Sequence, residues 1–131
     1  MCCSGTFVIE AAEIAADLKP GRSRAFAFEQ LATFNANHWS KLKDAGKGVT
    51  PIATFHGSDR DAGAIRNAVA NAARAGVSAF TEFRQHAISD QHPPPGPPGL
   101  VIINPPYGTR IGNKKPLHDL YAALGNTCLA R

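Results

Sequence analysis

The chain has 131 residues, 44% of them hydrophobic and 18% charged, which excludes a disordered polymer and gives one domain a real core, in a length too short for two ordinary domains. Its formal charge of +4 permits a nucleic-acid partner without demanding one, because a binding face would need its Lys and Arg clustered. No apolar run has membrane-spanning length, no signal peptide is visible, and three cysteines, two of them adjacent, argue against a disulfide framework and suit a reducing cytoplasm.

Met1-Cys2-Cys3-Ser4-Gly5-Thr6 runs straight into a helical pattern. Phe7, Val8, Ala11, Ile14, Ala15 and Leu18 recur at helical spacing, predicting one apolar face, and Pro20-Gly21 stops the helix. A small-residue loop opening a helix leaves backbone N–H groups free for a ligand, although Ser-Gly also precedes many helices for capping alone. Arg22 to Gly48 is less regular. A short helix is expected over Asn37 to Lys47 with Trp39 and Leu42 inward, and Lys41, Lys43 and Lys47 read as a solvated face. No chemistry is assigned to this segment.

Thr50 to His56 reads as a strand, followed at once by Gly57-Ser58-Asp59-Arg60-Asp61. Ile65, Ala68, Val69 and Ala72 then make a helix that Asp61 caps and Gly76 ends. Asp59 stands at the tip of the strand. It either serves the turn or accepts two hydrogen bonds from a ribose diol, as acidic residues do in nucleotide-binding folds. Ser78 to Arg84 is a further short strand, and His92 to Gly99 is a stiff, polyproline-like connection. The five His and three Cys have no zinc-site spacing, so no metal is expected.

The apolar run Gly99 to Ile103 reads as a strand buried on both faces, which Pro105 and Pro106 end because neither can donate a ladder hydrogen bond. Asn104 and Tyr107 are then held at the carboxyl end of a strand, where open α/β sheets bind ligands. The plainer alternative is a Pro-Pro turn capped by Asn104, with Tyr107 packed on the surface. Gly108 to Pro116 follows as a polar loop, and Leu117, Leu120, Tyr121 and Leu124 start a helix ending near Gly125. The alternation of helices and strands has the rhythm of a doubly wound α/β sheet.

Three sites in order carry a resemblance: Met-Cys-x-Ser-Gly-Thr-Phe-x-Ile-Glu-Ala-Ala, Gly-Ser-Asp-x-Asp and Asn-Pro-Pro-Tyr-Gly-x-Arg-Ile-Gly. Together they resemble the class I S-adenosylmethionine-dependent methyltransferases. Among these they look most like the RNA guanine-N2 methyltransferases that carry a THUMP domain, with the ribosomal large-subunit enzymes nearest. The resemblance implies an α/β, partial Rossmann-like fold over residues 1–131, with a mostly parallel sheet lacking the first central strand and the C-terminal strands. It implies that Ser4, Gly5 and Thr6 touch the methionine part of S-adenosylmethionine, that Asp59 takes the ribose hydroxyls and that Arg60 lies beside the adenine. Asn104 and the Pro105 carbonyl would accept from the exocyclic amine of the target base, Pro106 would complete the motif, and Tyr107 would stack on the extruded base. The implied activity is methylation of guanine N2 in RNA, 23S ribosomal RNA in particular, with no metal and no membrane.

The departures from the family pattern set further expectations. Cys3 stands where glycine is usual, Ala87 replaces an acidic residue after the third strand, and the usual Asp-Pro pair and THUMP domain are missing. A fragment of this kind is expected to be poorly stable and to bind the cofactor weakly. A DNA adenine-N6 methyltransferase fragment shares Asn-Pro-Pro-Tyr and is the competing enzyme; a non-catalytic nucleic-acid-binding remnant is the alternative from another class.

Overall fold

The structure is a computed structural model that describes residues 1–106 and 115–129. Its first helix, α1 (Thr6–Ala15), follows Gly5, which stands at the N-cap with φ 83°, and it ends short of the expected Leu18, with Asp17 at φ 50°, and not at Pro20-Gly21. The buried stripe differs from the expected one. Ile9, Ala12 and Ala16 face the core, whereas Phe7 is 49% and Ile14 77% exposed. Small side chains decide this: Ala12 and Ala16 let α1 approach a helix whose own buried residues are Ala68 and Ala72, and bulkier residues would hold the two apart.

That second helix belongs to a strand–helix–strand unit. β1 (Phe55–Asp59) leads through α3 (Ala62–Ala75) to β2 (Thr81–Gln85), with a short helix, α2 (Ala36–Lys43), lying earlier in the chain. The two strands pair in parallel, Phe55 opposite Thr81 and Asp59 opposite Gln85. His56 Nδ1 and Glu82 Oε2, which face each other across the ladder, lie 3.2 Å apart. Both strands begin later than the apolar runs suggest. Around Pro51 the chain is irregular and Ile52 is fully exposed, while β1 runs on through Gly57-Ser58-Asp59 because Gly57 lets the Phe83 ring lie against its backbone. Ser78–Phe80 forms a single 3₁₀ turn, braced by Thr81 Oγ1 donating to the Val77 carbonyl at 3.1 Å, before β2 starts.

α3 matches expectation at both ends. Asp61 accepts from the Gly63 N–H at 2.8 Å, and Gly76 takes the left-handed C-cap at φ 74°. The core between α1, α3 and the sheet is small: Ile9, Ala12, Ala72 and Val77, with Leu18, Phe55, Phe80 and Phe83 packed around it.

Two corrections concern the second half. The run Gly99 to Ile103 forms no strand; Leu100 is 84%, Val101 70% and Ile102 54% exposed. Branched aliphatics supply the propensity, but a strand needs a ladder partner, and the only described sheet has the two strands β1 and β2. The final helix, α4 (Lys115–Leu129), passes through Gly125 instead of ending there. Thr127 Oγ1 donates to the Ile88 carbonyl at 3.0 Å and ties that last turn to the segment after β2.

Candidate active site

The Ser4-Gly5-Thr6 loop is held from three directions. Cys2 donates its N–H to the Ser58 carbonyl at 2.7 Å, Cys3 donates its own to Asp59 Oδ2 at 3.0 Å, and Asn71 Nδ2 of α3 donates to the Ser4 carbonyl at 2.8 Å. Gly5 is required twice over. Its φ lies in the left-handed region, and a Cβ would meet the Ala68 Cβ at 3.0 Å and the Phe83 ring at 3.1 Å. No side chain caps α1, and Ser4 Oγ and Thr6 Oγ1 lie 3.1 Å apart beside its first turn. The loop therefore presents an uncapped helix N-terminus and two hydroxyls, a setting suited to a carboxylate.

Cys3 adopts φ 48°. A non-glycine residue in that conformation is strained by about 1 kcal/mol, and it stands at the position where the family resemblance calls for glycine. Next to it, burial pushes the Cys2 thiol above its ordinary value of 9.0, which disfavours its thiolate.

Asp59 is only 9% exposed, and each of its oxygens is already engaged: Oδ2 by Cys3 and Oδ1 by the Asp61 N–H at 3.1 Å. Its first task is to lock the loop onto the end of β1. One lone pair per oxygen is left for a ribose diol.

Beyond the carboxyl ends of both strands lies a hollow of about 640 Å³, lined by Arg60, Gln85, His86, Ala87, Asp90 and His92. Gln85 Nε2 donates to the Arg60 carbonyl at 3.1 Å, and the His86 N–H donates to that of Asp59 at 3.0 Å. A smaller hollow of about 290 Å³ lies between α1 and α3 and is the one that Ser4 and Thr6 line, so the predicted cofactor residues are divided between the two hollows. The larger one stands at the strand ends, where open α/β sheets bind ligands. Asp90, which sequence reasoning did not single out, also lines this hollow. It sits three positions after Ala87, where a 3₁₀ turn over Ile88–Asp90 returns a carboxylate to the hollow; a register-by-register comparison of strand ends does not reveal it.

Asn104, Pro105 and Pro106 follow as an extended segment, with Asn104 exposed, and Tyr121 Oη of α4 donates to the Pro106 carbonyl at 3.4 Å. Tyr107 lies outside the described residues, as does Gly108 to Gly112. Among the described residues no hydrogen bond links Asn104–Pro106 to the Ser4–Thr6 loop, Asp59 or Arg60. The loop, Asp59 and Arg60 thus come together at one end of the sheet, and the Asn-Pro-Pro segment is placed by α4 instead. Among the described residues no group of three or more His, Cys, Asp or Glu is arranged to hold a metal ion.

Residues 1–130 match the UPF0020 family model, described as the RMKL-like methyltransferase domain. The chain belongs to that family. Among similar proteins, a ribosomal RNA large subunit methyltransferase K/L from Allochromatium vinosum is 37% identical over 100% of this chain, which spans 19% of that protein's length. The crystal structure of SMU.472, a candidate methyltransferase complexed with SAH, superposes with a TM-score of 0.82 at 29% identity, covering 99% of this chain and 35% of that one. A predicted N6-adenine-specific DNA methylase from Listeria monocytogenes str. 4b F2365 gives a TM-score of 0.79 at 29% identity, with 99% and 35% covered. The family explains why two strands, a crossing helix and a glycine loop are found together here: they are one part of an α/β methyltransferase fold.

Proposed function

We propose that this chain is part of an S-adenosylmethionine-dependent methyltransferase acting on the N2 amine of guanine in RNA, with large-subunit ribosomal RNA as the substrate class. The observation that carries the proposal is the Cys3-to-Asp59 tie, which fixes the glycine loop before α1 to the carboxyl end of β1, next in sequence to Arg60 of the strand-end hollow. The ribosomal RNA methyltransferase relative, aligned over the whole of this chain, supports the substrate class.

The residues fit the cofactor in kind. The first turn of α1 and the hydroxyls of Ser4 and Thr6 would take the methionine carboxylate, Asp59 the ribose, and the hollow lined by Arg60 and Asp90 the adenine, with Asp90 accepting from its amine. When bound, the cofactor supplies an electrophilic methyl on a sulfonium. An exocyclic amine is a poor nucleophile because its lone pair is delocalised into the ring. Asn104 Oδ1 and the Pro105 carbonyl, accepting its two N–H groups, favour a pyramidal nitrogen and stabilise the positive charge that develops on it. Tyr107 would stack on the base outside its helix, recovering roughly 1–3 kcal/mol of the unstacking cost. The remaining contribution is the positioning of two bound reactants.

Methylation of adenine N6 in DNA is the second reading, supported by the Listeria relative. Labelled S-adenosylmethionine, given with guanine-containing ribosomal RNA and adenine-containing duplex DNA to a longer chain that includes these residues, separates them. Label in RNA guanine is the expected outcome, and label confined to DNA adenine overturns the RNA reading. In the same protein Asp90→Ala is expected to weaken cofactor binding about tenfold by calorimetry, the loss of one hydrogen bond to a charged group. Unchanged affinity would remove Asp90 from the adenine site.

A further inference from the structure

The positive charge of this chain is not spread evenly. Residues 19–48 contain six Lys and Arg against two acids, Glu29 and Asp44, while the rest of the chain has eight of each sign. The whole formal charge of +4 therefore belongs to one segment. Both of its acids are engaged within it: Glu29 Oε1 accepts from Trp39 Nε1 at 3.1 Å and from the Phe26 N–H at 2.9 Å, and Asp44 accepts from Ser40 Oγ. Lys19 pairs with Asp17 and Arg22 with Glu13. Among the described residues the side chains of Arg24, Lys41, Lys43 and Lys47 form no ion pair, although the Lys47 N–H donates to Asp17 Oδ2 at 2.9 Å.

The same segment holds an aromatic cluster. Phe26 stacks on Phe28 at 5.3 Å between centroids, and Trp39 meets Phe28 edge-on at 4.9 Å. Phe28 remains 40% exposed. Two of the unpaired cations lie over these rings, Arg24 over Phe26 at 4.1 Å and Lys43 over Trp39 at 5.5 Å. A solvated charged face needs no aromatics, and here rings and cations share one exposed face. π-faces interleaved with cations suit a single-stranded nucleic acid: the cations can turn onto phosphates while a base takes their place on the ring.

We propose that residues 19–48 form a docking surface for single-stranded RNA, with Phe28 and Trp39 as stacking platforms and Arg24, Lys41, Lys43 and Lys47 as phosphate contacts. The choice of RNA over other polyanions rests on the RNA methyltransferase reading, while the surface itself is separate from the strand-end site. Trp39 is the only tryptophan of the chain, so its fluorescence reports on this surface alone. Titrating the chain with an oligouridine, without cofactor, is expected to quench Trp39 saturably. Lys41→Gln, Lys43→Gln and Lys47→Gln together are expected to make the slope of log affinity against log salt shallower by about 2, at roughly 0.7 per phosphate contact. The corresponding Lys→Arg triple should retain the slope, and so should Arg66→Gln with Arg84→Gln, a control away from the segment. Absence of quenching, an unchanged slope in the Lys→Gln triple, or equal quenching by a poly-Glu peptide, which has charge but no bases, would overturn the proposal. RNA binding of this kind in a protein that transfers no methyl group would count against the enzymatic reading only.

Discussion

Gly5 and Cys3 lie two positions apart, both with positive φ, and physics treats them oppositely. At Gly5 a side chain is excluded by conformation and by the contacts at 3.0 and 3.1 Å with Ala68 and Phe83. Gly5→Ala is expected to destabilise the chain by about 2–4 kcal/mol, combining the left-handed penalty with overpacking. At Cys3 the penalty is already present. Cys3→Gly keeps the N–H that Asp59 accepts and removes the strain, so it is expected to add up to about 1 kcal/mol of stability. Urea unfolding of the two variants checks both signs. A Cys3→Gly midpoint at or below that of the parent chain would show that no strain is stored there. Asp59 was legible in the sequence as a strand-end carboxylate, but its bonds to the Cys3 and Asp61 N–H groups were not, because they join residues 56 and 2 positions apart through folded geometry.

At the scale of elements, what could be read from sequence was what local chemistry decides. Asp61 and Gly76 bracket α3 because a side-chain cap and a left-handed C-cap act within a few residues. Gly99 to Ile103 was misread because a strand is settled by a partner that propensity does not reveal, and β1 was placed too early because Gly57 owes its place to Phe83 on the other strand. Gly125 shows the limit from the other side. A glycine late in a helical pattern reads as its end, yet α4 continues to Leu129, held by the bond from Thr127 to Ile88. Among the described residues nothing outside the helix's own backbone lies within 4 Å of where a Gly125 Cβ would stand. Gly125→Ala should then add about 1 kcal/mol to the helix, a rise of roughly 4 °C in Tm for a chain of this size. A lower Tm would mean that α4 ends before that residue.

In the molecule as a whole, apolar side chains are plentiful and buried ones are few. Of the core residues only Val77 is larger than alanine and fully buried, while Ile14, Leu31, Ile52, Leu100 and Val101 are all at least 60% exposed. A domain of this size seldom leaves so much apolar surface uncovered. This chain spans 19% of one relative's length and 35% of a solved neighbour's. The two kinds of site should separate by mutation. Val77→Ala removes two buried carbons and leaves a cavity, costing about 2 kcal/mol in the 131-residue chain. Val101→Thr with Ile102→Thr alters surface residues and should stay within about 0.5 kcal/mol in the same chain. Placed in a longer chain whose added segments pair with residues 100–103, the double variant should become destabilising by more than 1 kcal/mol, because hydroxyls then replace methyl groups in a packed sheet. Denaturant midpoints of both variants in both lengths decide the matter. A double variant that is costly in the short chain would show that the Leu100–Ile103 run is packed there, and one that is silent in both would show that nothing covers it.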